Sequence, residues 1–203
     1  NKGFGAFERG NLDMAIDLLH QCIELSPEHG RARKFLRAAS IQRFVKRYPS
    51  PVQKKFAELA AFPGYLKALM LLKSGKQDKA LVAAERLLQK APLNVKYVCL
   101  GADAALAAGH KDAAIMILET AREQTPNDPA LLLHMGNTYQ KAEDWRNARD
   151  TFNALINLRP HDAHAMKLLK DAEARLSMAG SWDSVDKEGK DGFRALIKDQ
   201  KVA

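Results

Sequence analysis

The sequence predicts an all-α protein made of stacked helical hairpins, and three observations carry that reading. Pro92, Pro126 and Pro160 recur at an interval of 34 residues. The segments between them hold apolar residues at helical spacings. Leu132, Met135, Gly136 and Tyr139 are three, one and three apart, and Ala148, Phe152 and Leu155 are four and three apart, which puts each set on one face of a helix. Finally, small residues recur at one register of the first helix, as Ala68, Ala102 and Gly136. A small residue opposite a large one lets two helices approach closely.

Each unit reads as two helices joined by a short polar turn. The complete units pair 63–74 with 77–90, 95–108 with 111–124, and 129–141 with 145–158. Asp128 before Pro129 is a cap followed by proline in the first helical turn, a strong start signal. In the second helices, Ala80 with Leu87 and Ala114 with Leu118 and Ala121 stand where two helices cross. A partial unit opens the chain, with Gly3, Gly10, Ala15, Leu19, Cys22 and Pro27 in the same spacing. Asn11 is placed to cap its second helix, with Asp13 in the first turn. Asp78 and Asp112 stand at the equivalent places downstream.

Between the partial unit and the rest, the phase slips. Pro27 to Pro92 is 65 residues, three short of two periods. The shortfall falls at Tyr48-Pro49-Ser50-Pro51, where two prolines break the helix. The segments after Pro27 and after Pro160 both read as helices that end a stack, apolar inside and more polar outside. The organisation is therefore a partial unit with a basic capping-like helix over 1–48 and a proline-containing connector over 49–62. Three units over 63–160 follow, then a capping helix over 161–179 and a polar tail over 180–203 with a short amphipathic stretch. The first helix is entered part-way along, so the chain reads as a piece of a longer one.

This grammar resembles the tetratricopeptide repeat (TPR), whose period is about 34 residues. The resemblance implies a right-handed solenoid of helical hairpins with a C-terminal capping helix. There are departures. The large aromatic usual early in the first helix is Gly64, Val98 and Leu132 here, and the counterparts of Tyr139 are Leu71 and Ala105. The cores should be smaller than in a consensus array.

The resemblance also implies a function: a non-catalytic scaffold that binds a protein, peptide or helix in a concave groove lined by the first helices. The repeat register assigns Phe62, Tyr65, Leu69, Leu72, Lys96, Cys99, Asp103, Leu106, Leu133, Asn137, Gln140 and Lys141 to that groove. Much of this lining is apolar, with Tyr65, Leu69 and Leu133 as anchors. TPR proteins that bind chaperone C-termini place Lys, Arg and Asn there to clamp a carboxylate. That set is absent, so chaperone tails are not the expected ligand. The occupant is another protein, a second copy, or the chain's own tail through Trp182, Phe193, Leu196 and Ile197. The opposing reading is that neighbouring helices, above all the Phe35–Tyr48 segment, cover these residues as core.

Charge supplies the second candidate. The chain carries a net +8. Between Gly30 and Ala57 there are nine lysines and arginines and no acidic residue. Arg31, Arg33, Lys34, Arg37, Arg43, Lys46 and Arg47 make a basic patch that could attract an acidic protein or a nucleic acid. No aromatic stacking platform accompanies it, so nucleic acid is the weaker alternative.

Other classes find little support. No run of 18 apolar residues suggests a membrane span, and the start lacks a secretory pattern, so a cytoplasmic setting is expected. Cys22 and Cys99 lie far apart and read as reduced core thiols. There is no glycine-rich phosphate loop, nucleophile elbow or paired-cysteine motif. His161 and His164 flank Asp162, but two ligands are too few for a zinc site. His20 and His110 read as structural or exposed, and His134 as facing outward without a role. No enzyme, cofactor or metal is expected.

Overall fold

The computed structural model describes residues 2–26 and 29–178. Within them the chain forms α1 (Lys2–Glu8), α2 (Leu12–Leu25), α3 (Gly30–Arg47), α4 (Pro51–Ala60), α5 (Phe62–Lys73), α6 (Gln77–Lys90), α7 (Val95–Ala107), α8 (Lys111–Gln124), α9 (Pro129–Lys141) and α10 (Trp145–Leu158). A last helix, α11, covers 163–178. Among the described residues there is no strand.

Local chemistry sets these boundaries. Asn11, Asn94, Asp128 and Asp144 each cap a helix, their side chains accepting from the backbone N–H three residues on, which satisfies a donor the helix cannot. Proline opens α4 and α9, where its missing N–H costs nothing. The turns of the hairpins place one residue in the left-handed region: Gly10, Gly75, Gly109 and Glu143, with φ of 75°, 74°, 83° and 65°. The last three are 34 apart, so the turn repeats with the solenoid.

The hairpins α5–α6, α7–α8 and α9–α10 stack in order. Second helices pack on the next first helix, α6 on α7 and α8 on α9, while α5, α7 and α9 lie side by side. The small register positions lie at the tightest crossings. Ala68, Ala102, Ala80, Ala114 and Ala148 are all fully buried. At Gly136 the approach is closest, since a Cβ there would lie 2.3 Å from Cε1 of Phe152 on the partner helix. The chain is thus a TPR-type helical-hairpin solenoid, with α11 closing its C-terminal end through buried Ala165 and Ala172.

The N-terminal hairpin does not simply precede this stack. α3 packs on α2 and also against α6 and α8, the second helices of the main array. Its own core joins Ile16, Leu19, Ala32, Leu36 and Ala39, with Phe35 edge-on to Phe4 and Phe7 at 4.8 and 5.4 Å. Against α6 the contact is ionic. Arg33 Nη1 donates to Glu85 Oε1 at 3.0 Å, and Arg37 Nη2 donates to Glu85 Oε2. All three residues are at least 97% buried. Burial pulls the Arg37 pKa down while the Glu85 carboxylate pulls it back up, and the guanidinium stays cationic.

Candidate peptide-binding groove

The inner face of α5, α7 and α9 is where the register puts the groove. All twelve candidate residues lie on these three helices. Phe62, Lys96 and Lys141 are exposed and the other nine are half-buried. None is sealed in the core. The segment that would have sealed them, α3, packs on α2, α6 and α8 instead.

This face has two chemically different ends. At the α5 end the rings of Phe62 and Tyr65 stack at 5.8 Å, and Tyr65 meets Tyr97 at 5.3 Å. Tyr97 is buried, and its hydroxyl donates to the Glu58 carbonyl at 2.8 Å. Asn94 Nδ2 donates to the Glu58 carboxylate at 3.0 Å. These two bonds tie the C-terminal end of α4 to the start of α7. Burial, with Glu58 and Tyr65 nearby, pushes the Tyr97 phenol pKa up, so the hydroxyl remains a donor.

At the α9 end the lining is polar. His134, Asn137, Thr138, Gln140 and Lys141 surround a shallow pocket of about 350 Å³. His134 Nε2 lies 3.2 Å from Asp103 Oδ1 on α7, within ion-pair range though off the line of a good hydrogen bond. Burial disfavours the imidazolium, but the Asp103 carboxylate and the Cys99 sulfur outweigh it and carry the pKa to about 10. At neutral pH this end therefore presents two cations, His134 and Lys141, against one carboxylate.

Two participants escaped the sequence reading. His134 does not face outward without a role; it bridges two first helices. The available signal was positional, because Asp103 and His134 sit on facing rows of adjacent first helices. Tyr97 carries no groove assignment in the repeat register because its neighbour Lys96 holds that position.

The basic segment needs a larger correction. Arg33 and Arg37 are not on a surface at all, since Glu85 takes both into the interior. Arg43 bonds Asp13 and the Gln89 carbonyl, each at 2.9 Å. Arg31 lies over the Phe4 ring at 5.5 Å and Arg47 over Tyr48 at 5.9 Å. Only Lys34, Lys46, Arg31 and Arg47 of the seven are exposed. Trp182, Phe193, Leu196 and Ile197 lie outside the described residues. Among the described residues no group of three His, Cys, Asp or Glu side chains converges, and no helix is long and apolar enough to cross a membrane.

Comparison with known proteins agrees with this architecture. Two family models, each described as tetratricopeptide repeat, match residues 65–129 and 105–172, together more than half of the chain. Among solved structures, the chain is similar to the Sgt2 TPR domain from Aspergillus fumigatus, at 17% identity and TM-score 0.53 over 60% of this chain and 82% of that one. The first TPR domain of human RPAP3 gives 16% and 0.53 over 60% and 95%. The first TPR of Spaghetti (RPAP3), bound to the HSP90 peptide SRMEEVD, gives 17% and 0.51 over 58% and 93%. At these identities the likeness is one of fold. No curated protein matches the chain in sequence. With the 34-residue register, the hairpin stack and both family models in agreement, the chain belongs to the tetratricopeptide-repeat family.

Proposed function

We propose that the protein is a non-catalytic interaction scaffold that takes a peptide or helix along the inner face of α5, α7 and α9. The observation that carries this reading is where α3 goes. A half-apolar face is either core or a binding surface, and α3 was the element able to make it core. Its packing on α6 and α8 leaves Tyr65, Leu69 and Leu133 available as anchors. Contiguous apolar surface of this kind marks interaction sites, and a groove between parallel helices suits a helix or an extended segment.

The two ends give the ligand a direction. An aromatic or aliphatic side chain fits against Phe62 and Tyr65. An acidic or carbonyl-bearing group fits the α9 end, where Asn137 and Lys141 offer donors beside the cationic His134. The competing reading, an acidic or nucleic-acid partner at the basic segment, loses ground because Arg33, Arg37 and Arg43 are occupied within the fold.

The test is selection of a random peptide library against the protein, followed by NMR mapping of the selected peptide. Shift changes should cluster on α5, α7 and α9. Phe62→Asp and Asn137→Asp should each weaken binding about tenfold, the first by losing an apolar anchor and the second by replacing a donor with a carboxylate that repels the ligand's acidic group. Changes confined to α3, or full affinity in both variants, would refute the groove.

A further inference from the structure

The stack has an open edge. Pro63, Gly64, Lys67 and Leu71 of α5, with residues of α6, line a cleft of about 590 Å³. The same register positions one repeat on are Tyr97, Val98, Gly101 and Ala105, all buried. One repeat further they are Leu131, Leu132, Met135 and Tyr139, again all buried. Part of what covers them is the second helix of the preceding hairpin. A Cβ on Gly101 would meet Leu88 of α6 at 2.6 Å, and α8 packs on α9 in the same way. α5 has no such neighbour. The helix before it, α4, buries none of its own residues.

Two of the helices that reach this cleft, α4 through Ala60 and α5, also expose large apolar side chains. Leu66 and Met70, one turn apart on the adjoining row of α5, are 43% and 72% exposed. On α4, Val52, Phe56 and Leu59 form a stripe at spacings of four and three, each more than 60% exposed. One exposed apolar side chain is ordinary, but five on two consecutive helices mark a contact surface. Because the vacant position holds a helix in the next two repeats, its shape calls for a helix.

Charge decides what kind. Lys67, Lys79, Arg86 and Lys90 line the cleft with a single acidic residue, Asp78. Arg86 is held by Glu24 at 3.1 Å. Among the described residues Lys67, Lys79 and Lys90 make no ion pair. A second copy paired about a two-fold axis would set these lysines against themselves. The chain's own segment 179–203 carries five acidic and five basic residues and offers no net complement.

We propose that this edge docks an amphipathic helix of another protein, apolar on one face and flanked by carboxylates, which continues the solenoid over α5 and α6. The site is separate from the inner groove, which lies on the opposite rows of α5.

Two designed peptides of about 18 residues, five helical turns, test this against the full chain by fluorescence anisotropy. They share a leucine stripe and differ only in Glu or Lys on the flanks. The Glu peptide should bind one-to-one and at least tenfold tighter than the Lys peptide. Met70→Asp should weaken it at least tenfold, and Lys67→Glu with Lys79→Glu should reverse the preference. All three positions are exposed, and thermal melts establish that the variants fold. Equal binding of both peptides, or a preference that survives charge reversal, overturns the proposal. A dimer that dissociates on Met70→Asp assigns the edge to a second copy. Tighter peptide binding on Phe193→Asp assigns it to the chain's own tail. Either outcome also overturns it.

Discussion

Gly136→Ala is the sharpest test of the packing. The new methyl would lie 2.3, 2.6 and 2.8 Å from three atoms of the Phe152 ring, and that ring is fully buried. Ordinary carbon contacts begin near 3.5 Å, so ring or helix must move by about 1 Å. Overpacking of this kind costs about 1–3 kcal/mol. Against it stands the gain of about 1 kcal/mol when alanine replaces glycine inside a helix. A rigid ring held on all sides puts the first term at its upper end, so the net loss should be about 2 kcal/mol. Gly101→Ala is the internal control. Its methyl would also come within 2.6 Å of one atom, but that atom is the far end of Leu88, and the next nearest lie at 3.7 and 3.9 Å. Leu88 can rotate where Phe152 cannot, and the two terms should cancel. Urea unfolding followed by circular dichroism measures both variants, with Phe152→Leu and the double variant completing a cycle. The double variant should recover at least 1 kcal/mol relative to additivity. If Gly136→Ala is no worse than Gly101→Ala, or if the cycle is additive, the crossing is not as tight as described.

Three further outcomes follow from named groups. Glu85→Gln should destabilise by about 3–5 kcal/mol, because it leaves the Arg33 and Arg37 charges buried without a carboxylate. Arg33→Met, Arg37→Leu and Glu85→Leu together should recover most of that loss in a thermal melt. His134 has a raised pKa in the folded state, about 10, so its stabilisation is full below the unfolded value near 6.5 and is lost as pH rises through 10. Wild type should therefore lose about 1 kcal/mol more than His134→Gln between those limits, a partly exposed pair being worth no more. Glu143→Gly should stabilise by about 0.5–1 kcal/mol in urea, since a side chain at φ 65° is strained where Gly75 and Gly109 are not.

The main array was legible because its determinants are local and repeated. α6, α8, α9 and α10 span the residues that periodicity and turns marked, α5 is shifted by one residue at both ends, and α7 is one residue shorter at its C-terminal end. Periodicity reports which residues share a face; it does not report what covers that face. Hence the groove rows on α5, α7 and α9 could be named, but their exposure depended on where α3 docked, a contact between residues some 50 apart. Charge failed for the same reason. Nine basic residues in one segment look like a surface patch, yet Arg33 and Arg37 follow Ala32 and Leu36 around the helix and turn inward with them. A lone buried glutamate on α6 carries no signal in a helix otherwise rich in exposed charge.

The buried ions also explain how α3 finds its seat. The apolar residues that α3 buries outside its own hairpin core, Ile41 and Phe44, are not selective in a solenoid, because the backs of its second helices resemble one another. Glu85 breaks that degeneracy. Its counterparts one and two repeats on are Glu119 and Asn153. Glu119 accepts from the Tyr139 hydroxyl at 2.7 Å, and Asn153 has no charge to offer two guanidinium groups. Seating α3 one repeat further along would make both arginines share Glu119 with the Tyr139 hydroxyl, and two repeats along it would bury them without any carboxylate, at a cost of several kcal/mol. The arginine pair contributes little to net stability compared with apolar residues of the same shape, but it selects α6. That choice keeps the N-terminal hairpin on the backs of the array and leaves the inner face and the α5–α6 edge uncovered.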